Sequence, residues 1–357
     1  MDQNNRPEGR EKRVTDSTKG VKKRGQADGP AAETQRAGSG AGYAMPLIIL
    51  TGPTAVGKTD LSVRLAKALG GEIISADSMQ VYCHMDIGSA KVTKEEMDGV
   101  PHQLIDVLKP DQEFNVVLFQ KMAKEALTRI YDRGHIPIVA GGTGFYIQAL
   151  VYDIDFTEND PDPSIRARLE KEAAVKGAQH LHSRLRQIDP AAADQIHANN
   201  VKRVIRAIEF YEKTGTRISR HNEAEHKKQS PYDFLYYVLN TDRAALYDRI
   251  DRRVDRMMAM GLVDEVKILA QMGCTRDMVS MQGLGYKEIL DHLDGRCSLE
   301  EAVRVLKRDT RHFAKRQLTW FKRERDVRWL DLPAFGDDKE KVLAHIIGEV
   351  SLKGWLS

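Results

Sequence analysis

Gly52, Pro53, Thr54, Ala55, Val56, Gly57, Lys58 and Thr59 spell G-x-x-x-x-G-K-[ST], a spacing that cradles a polyphosphate. The apolar run 47–50 before it reads as a buried strand, and residues 60–69 after it carry a helical pattern. In such a strand–turn–helix setting, backbone N–H groups and the helix dipole face the anion. Lys58 adds a mobile positive charge, and the Thr59 hydroxyl is the candidate ligand for Mg²⁺. A bound di- or triphosphate is expected.

A second strand pattern, 72–76, ends in Asp77-Ser78-Met79-Gln80. Ligands of open α/β sheets bind beyond the carboxyl ends of the strands, so Asp77 is placed at the edge of the crevice that holds Lys58. A carboxylate there serves as general base for an acceptor nucleophile, as a Mg²⁺ ligand through water, or simply as the cap of the next turn. The buried run 136–140 ends in Gly141-Gly142-Thr143, where an NTPase would usually place a Walker-B Asp. Two glycines and a hydroxyl at a helix start form another anion nest. Such a site holds phosphate well and activates water poorly, which favours transfer to an acceptor over hydrolysis. Further on, Arg249 and Arg253 are four apart and share a helix face. They either reach phosphate oxygens or form a surface face paired with Asp248, Asp251 and Asp255.

The elements that must position these residues follow from pattern. From Met45 to about residue 155, strands and helices alternate as in a parallel sheet, with an amphipathic helix over 114–134. The acidic, proline-containing stretch near 156–163 marks a boundary. Helical patterns without a convincing strand then run to about 225, notably 165–176, 178–188 and 200–213. Strand pattern returns at 232–241, helices follow from 244 to about 321, and a short strand at 327–330 precedes a last helix. The expected fold is α/β: a P-loop NTPase-like parallel sheet flanked by helices, split into 45–155 and 232–357 by an all-helical insertion, 156–231.

The chain has 357 residues, 41% hydrophobic and 30% charged, with a net charge of +3. Residues 1–44 alone carry that excess, so the rest is neutral overall and any nucleic-acid partner must use local basic patches. This polar segment is expected to be disordered, and Met45, directly before the first strand, is a candidate start. No apolar run is long enough to span a membrane. Cys83, Cys274 and Cys297 are widely separated and form no metal-binding pair, in keeping with a reducing cytoplasm.

Eight segments occur in order: GPTAVGKT, SADSMQVY (75–82), DIGSAK (86–91), PHQLIDV (101–107), AGGTGFYI (140–147), RVIRAIE (203–209), MQGLGYKE (281–288) and KRQLTWFKR (315–323). Together they resemble the tRNA dimethylallyltransferases, which prenylate the adenosine directly 3′ of the anticodon. The resemblance covers Met45 to about Leu332. It implies that the P-loop holds the diphosphate of dimethylallyl diphosphate, that Asp77 is the general base, and that Thr143 touches the reacting region. Lys58, Arg249 and Arg253 would neutralise the departing diphosphate, and Thr59 would help to place Mg²⁺. Asp77, Ser78, Met79 and Gln80, with Thr143, would lie at a flipped-out base. Arg166 with Lys202, Arg203, Val204, Ile205 and Arg206 would grip the anticodon stem-loop. Gln282, Gly283, Leu284, Gly285, Tyr286 and Lys287 would touch the loop from the other side, although the family often has arginine where this chain has Lys287.

No Cys/His-rich zinc module follows the matched region, so within the resemblance the chain is similar to the bacterial form; a monomer is expected. The basic stretch 304–325, with Trp320 and Phe321 interleaved, is either a further RNA contact or a solvated helix whose aromatics pack in the core. Two other enzymes share the P-loop and the strand-end carboxylate: an adenylate isopentenyltransferase and a shikimate-kinase-like small-molecule kinase. Neither has an evident use for a basic helical insertion. A non-enzymatic RNA-binding P-loop protein gives no reason for Asp77 and Thr143 to meet at a diphosphate.

Overall fold

A computed structural model describes residues 45–156 and 164–355. The expected tail 1–44 and all but the first residue of the boundary stretch 156–163 lie outside them. The first half runs β1 (Pro46–Thr51), α1 (Lys58–Leu69), β2 (Glu72–Ala76), α2 (Lys94–Met97), β3 (His102–Gln103), α3 (Val116–Asp132), β4 (Pro137–Gly141) and α4 (Gly144–Val151). Five helices follow without a strand: α5 (Ser164–Lys176), α6 (Ala178–Ile188), α7 (Pro190–Gln195), α8 (Val201–Thr214) and α9 (Ile218–Lys227). The chain then returns through β5 (Asp233–Asn240), α10 (Arg243–Ala259), α11 (Leu262–Gln271), α12 (Tyr286–Leu293), α13 (Leu299–Phe321), β6 (Val327–Asp331) and α14 (Lys339–Leu352).

The six strands form one sheet in the order β3-β2-β4-β1-β5-β6, and every pairing is parallel. Leu47 and Ile49 point into one buried cluster, and Ile48 and Leu50 into another on the opposite face. That is why residues 47–50 of β1 are all apolar: both faces of a parallel sheet are covered by helices. One face carries α3, α4, α11, α12 and part of α13; the other carries α1, α14 and part of α10. The insertion holds a third cluster of its own, built on Leu169, Leu181, Leu185, Val204 and Ile208.

The expected α/β fold is the observed one. Pattern alone passes over β3, whose two residues are too few to show a period, so the run ending in Gly141 is the fourth strand along the chain. In the register, Thr51 lies opposite Gly141, and Gly141 opposite Ala76. The loops leaving β1, β2 and β4 therefore emerge side by side at one edge.

Candidate active site

A cavity of about 1230 Å³ opens at that edge, lined by the P-loop, Asp77, Gly141, Gly142, Arg249, Arg253 and Gln317. Gly57 begins α1 with φ of 106°, a left-handed conformation that bends the loop into the helix and that a side chain would strain. Lys58 folds back over the loop, its Nζ donating to the carbonyls of Gly52 at 3.0 Å and Pro53 at 2.9 Å. Burial pulls the Lys58 ammonium down to a pKa of about 8; nearby Arg253 pushes the same way, and Asp77 opposes it. Thr59 stands exposed in the first turn of α1.

Asp77 is half-buried and does two things at once. Its Oδ1 accepts from the backbone N–H of Met79 at 2.8 Å and of Gln80 at 3.3 Å, so it does cap the following turn. Oδ2 accepts no hydrogen bond among the described residues. The cap therefore holds the carboxylate still and leaves one oxygen available to a substrate proton. Thr143 begins α4 and donates its N–H to the Ala76 carbonyl at 3.2 Å, one residue from Asp77, but it does not line the cavity itself.

The two arginines of α10 separate in role. Arg253 Nη1 lies 3.4 Å from the Thr54 hydroxyl of the P-loop. Burial depresses its pKa from the usual arginine value, while Asp77 acts to hold the charge. Arg249 lines the same cavity but faces Asp337 at 3.7 Å. The acids that could have neutralised the pair are engaged elsewhere: Asp248 with Arg252, Asp251 with Arg311, and Asp255 with Lys307. Arg253 thus makes the P-loop contact, and Arg249 pairs with Asp337.

Gln317 lies within one of the eight sequence segments, but nothing in that segment shows its task. It is buried, its Oε1 accepts the Thr54 N–H at 2.8 Å, and its Nε2 donates to the Gly142 carbonyl at 2.9 Å. A Cβ on Gly142 would sit 2.3 Å from that nitrogen, so only glycine admits the bridge. One side chain thereby joins the P-loop to the Gly141-Gly142 turn. Glu265 is a second residue that sequence reasoning misses. It accepts the N–H groups of Asp86, Ile87 and Gly88 at 2.7–3.0 Å and the Tyr286 hydroxyl at 2.9 Å, fixing a loop that forms part of the cavity wall. An isolated Glu on an amphipathic helix carries no sequence signal of such a role.

The expected RNA-facing residues divide by burial. On α8, Lys202, Arg203 and Arg206 are exposed, but Val204 and Ile205 are buried in the core of the insertion. Their side chains are corrected from RNA contacts to packing residues, as the helical period requires. Neither Arg203 nor Arg206 forms an ion pair among the described residues, whereas Arg166 is bound to Glu209 at 2.7 Å. Gln80 donates to the Ala90 carbonyl at 3.2 Å, and Ser78 is half-buried. Met79 packs on Gly283, where a Cβ would lie 2.7 Å from its sulfur, which joins the Asp77 turn to the 282–287 segment. Within that segment Gln282 is exposed, Leu284 is half-buried and Gly285 is the residue before α12. Tyr286 is wholly buried against Gly88, so its side chain packs in the core and is not exposed to a partner here. Lys287 lies 3.5 Å from Glu288.

The basic stretch 304–325, most of it in α13, differs along its length. Arg304, Lys307, Arg308 and Arg311 pair with acids, whereas Lys315, Arg316 and Arg323 form no ion pair among the described residues. These three surround a recess of about 420 Å³ beside Trp320, while Phe321 is buried in the core.

The chain matches the IPP transferase family model over residues 80–324. It is 62% identical over 293 residues to the tRNA dimethylallyltransferase of Lachnoclostridium phytofermentans, covering 82% of this chain and 94% of that one. Against the protein of the same name from Carboxydothermus hydrogenoformans it is 50% identical, covering 87% and 99%. Among solved structures, the full-length tRNA isopentenylpyrophosphate transferase of Bacillus halodurans is 46% identical with a TM-score of 0.65, over 87% of this chain and 98% of that one. A eukaryotic dimethylallyltransferase acting on tRNA is 28% identical with a TM-score of 0.74, over 87% and 80%. With P-loop, strand-end carboxylate and matched length all in agreement, the chain belongs to the IPP transferase family.

Proposed function

We infer that this protein transfers a dimethylallyl group from dimethylallyl diphosphate to the exocyclic amine of the adenosine directly 3′ of a tRNA anticodon, giving N6-isopentenyladenosine and diphosphate. The observation that carries this reading is the convergence on one cavity of Lys58, Arg253 and an Asp77 carboxylate with one oxygen uncommitted. The amine nitrogen bonds to the allylic carbon as the carbon–oxygen bond to diphosphate breaks. The amine proton passes to Asp77 Oδ2, and the electron pair leaves with the diphosphate. The P-loop N–H groups, Lys58 and Arg253 stabilise that developing charge and so supply much of the rate. An adenine amine is a weak nucleophile, so the base matters as the new bond forms.

Among the described residues no three His, Cys, Asp or Glu side chains converge as a metal cage. The donor set fits Mg²⁺, which is commonly held by substrate phosphates and water with few protein ligands. Thr59, with the diphosphate itself, would hold it, and its charge would further stabilise the leaving group.

The exposed Lys202, Arg203 and Arg206 favour tRNA over free adenylate as acceptor. Nucleoside mass spectrometry tests this choice, comparing an anticodon stem-loop with AMP. Modification of the stem-loop is expected; modification of AMP alone would move the protein to the adenylate-prenylating class.

A further inference from the structure

Beyond residues 80–324, the chain comes back to the P-loop once more. After β6 a single turn, Leu332–Phe335, leads through Gly336 to Asp337, which opposes Arg249, and to Lys339, the first residue of α14. Asp337 and Lys339 both line the main cavity. Lys339 Nζ donates to Asp60 Oδ2 at 2.7 Å, in the first turn of α1. A Cβ built on Gly57 would lie 4.0 Å from the same nitrogen. Packing sets this position: Val342, Ile346 and Val350 of α14 are buried with Leu61 and Leu65 of α1, and Glu340 pairs with Arg64.

We propose that Lys339 is a diphosphate-binding residue, its ammonium exchanging Asp60 for an oxygen of the diphosphate seated on the P-loop. The proposal rests on the reading of that loop as a prenyl diphosphate site. Reach and competition both support it. The lysine stem is flexible and its ammonium already stands beside Gly57, at the mouth of the anion-binding turn. Its present partner is a half-exposed carboxylate, and ion pairs of that kind are weakly held. A diphosphate presents more charge and several acceptor oxygens in a site where backbone N–H groups already converge. The C-terminal helix then does more than cover the sheet: it delivers a cation to the leaving group beside Gly57, whereas Arg253 stands beside Thr54.

Calorimetric titration of inorganic pyrophosphate with Mg²⁺ into the full chain tests this, using wild type, Lys339→Met, Lys339→Arg and Asp60→Asn. Lys339→Met is expected to weaken binding about tenfold, the scale of one charge-assisted hydrogen bond. Lys339→Arg should restore most of it, and Asp60→Asn, which frees the lysine, should bind at least as tightly as wild type. Steady-state kinetics of Lys339→Met should show a raised KM for dimethylallyl diphosphate with that for tRNA unchanged. Wild-type affinity in Lys339→Met would overturn the proposal. So would equal losses in Lys339→Met and Asp60→Asn, which would mark the pair as a clamp between α1 and α14. Failure of the wild-type protein to bind pyrophosphate would instead overturn the underlying reading of the site, and the proposal with it.

Discussion

The backbone N–H of Thr54 donates to the side-chain oxygen of Gln317, 2.8 Å away in space and 263 residues away in the chain. Because the nitrogen of the same side chain donates to the Gly142 carbonyl, a residue of α13 holds together two of the three turns that form the site. Replacing Gln317 by Leu leaves both backbone groups without a partner and is expected to cost about 2 kcal/mol of stability. Pyrophosphate affinity should fall as well, because the P-loop loses its tie. Chemical denaturation and calorimetry read the two effects, and a variant unchanged in both would remove the bridge from the account.

The turn cap and the proposed proton transfer fall on different oxygens of Asp77, and two substitutions separate them. Asp77→Asn keeps an oxygen for the Met79 and Gln80 N–H groups but cannot take a proton. Its single-turnover transfer rate should drop about 10²–10⁴-fold, the range of a positioned general base, with melting near wild type. Asp77→Ala should lose the rate and, in addition, about 1 kcal/mol of stability from the missing cap. An Asp77→Asn enzyme within a few-fold of the wild-type rate would contradict the assignment.

Lys58 predicts a pH dependence. Its pKa of about 8 lies below the usual lysine value, and a bound diphosphate, being anionic, must raise it. Binding near pH 8 therefore takes up protons, and affinity should decline as pH rises through 8. Calorimetry in buffers of different ionisation enthalpy measures the uptake directly; no buffer dependence at pH 8 would exclude it. The sign for folding is opposite to that of a stabilised lysine. Between about 8 and 10.5 the unfolded chain binds the extra proton, so this group makes stability rise with pH there.

Arg203 and Arg206 face outward from α8, while Glu209, their nearest acidic candidate in sequence, is taken by Arg166 and Lys213. Arg203→Ala with Arg206→Ala is expected to raise the KM for tRNA and leave that for dimethylallyl diphosphate nearly unchanged. Removing each arginine that touches a phosphate should reduce the magnitude of the salt slope by roughly one. Normal tRNA affinity with a lowered melting temperature would show these arginines to be structural.

How much of the fold and site is legible in the sequence depends on whether a residue's role is written locally. The P-loop, the apolar runs and the helical insertion are short-range patterns, and the sheet follows from the strand–helix alternation. The burial of the Val204, Ile205 and Tyr286 side chains is not legible in the motifs, because a motif string records neighbours along the chain and not which side of a helix each one takes. Gln317 and Glu265 act on backbone groups 263 and 177–179 residues distant. Only the folded chain brings those partners together, and no spacing rule reaches that far. The choice between Arg249 and Arg253 has the same character, since both occupy one face and only the P-loop contact separates them.

The proposed function requires this P-loop to serve a prenyl diphosphate and not a nucleoside triphosphate. The most direct measurement incubates the protein with Mg²⁺, labelled dimethylallyl diphosphate and an anticodon stem-loop, then maps the label in the RNA and quantifies released pyrophosphate. Expected are one C5H8 unit and one pyrophosphate per modified RNA, all label on the adenosine directly 3′ of the anticodon, and none with ATP as sole diphosphate donor. Phosphoryl transfer or hydrolysis of ATP, with no label entering the RNA, would contradict it.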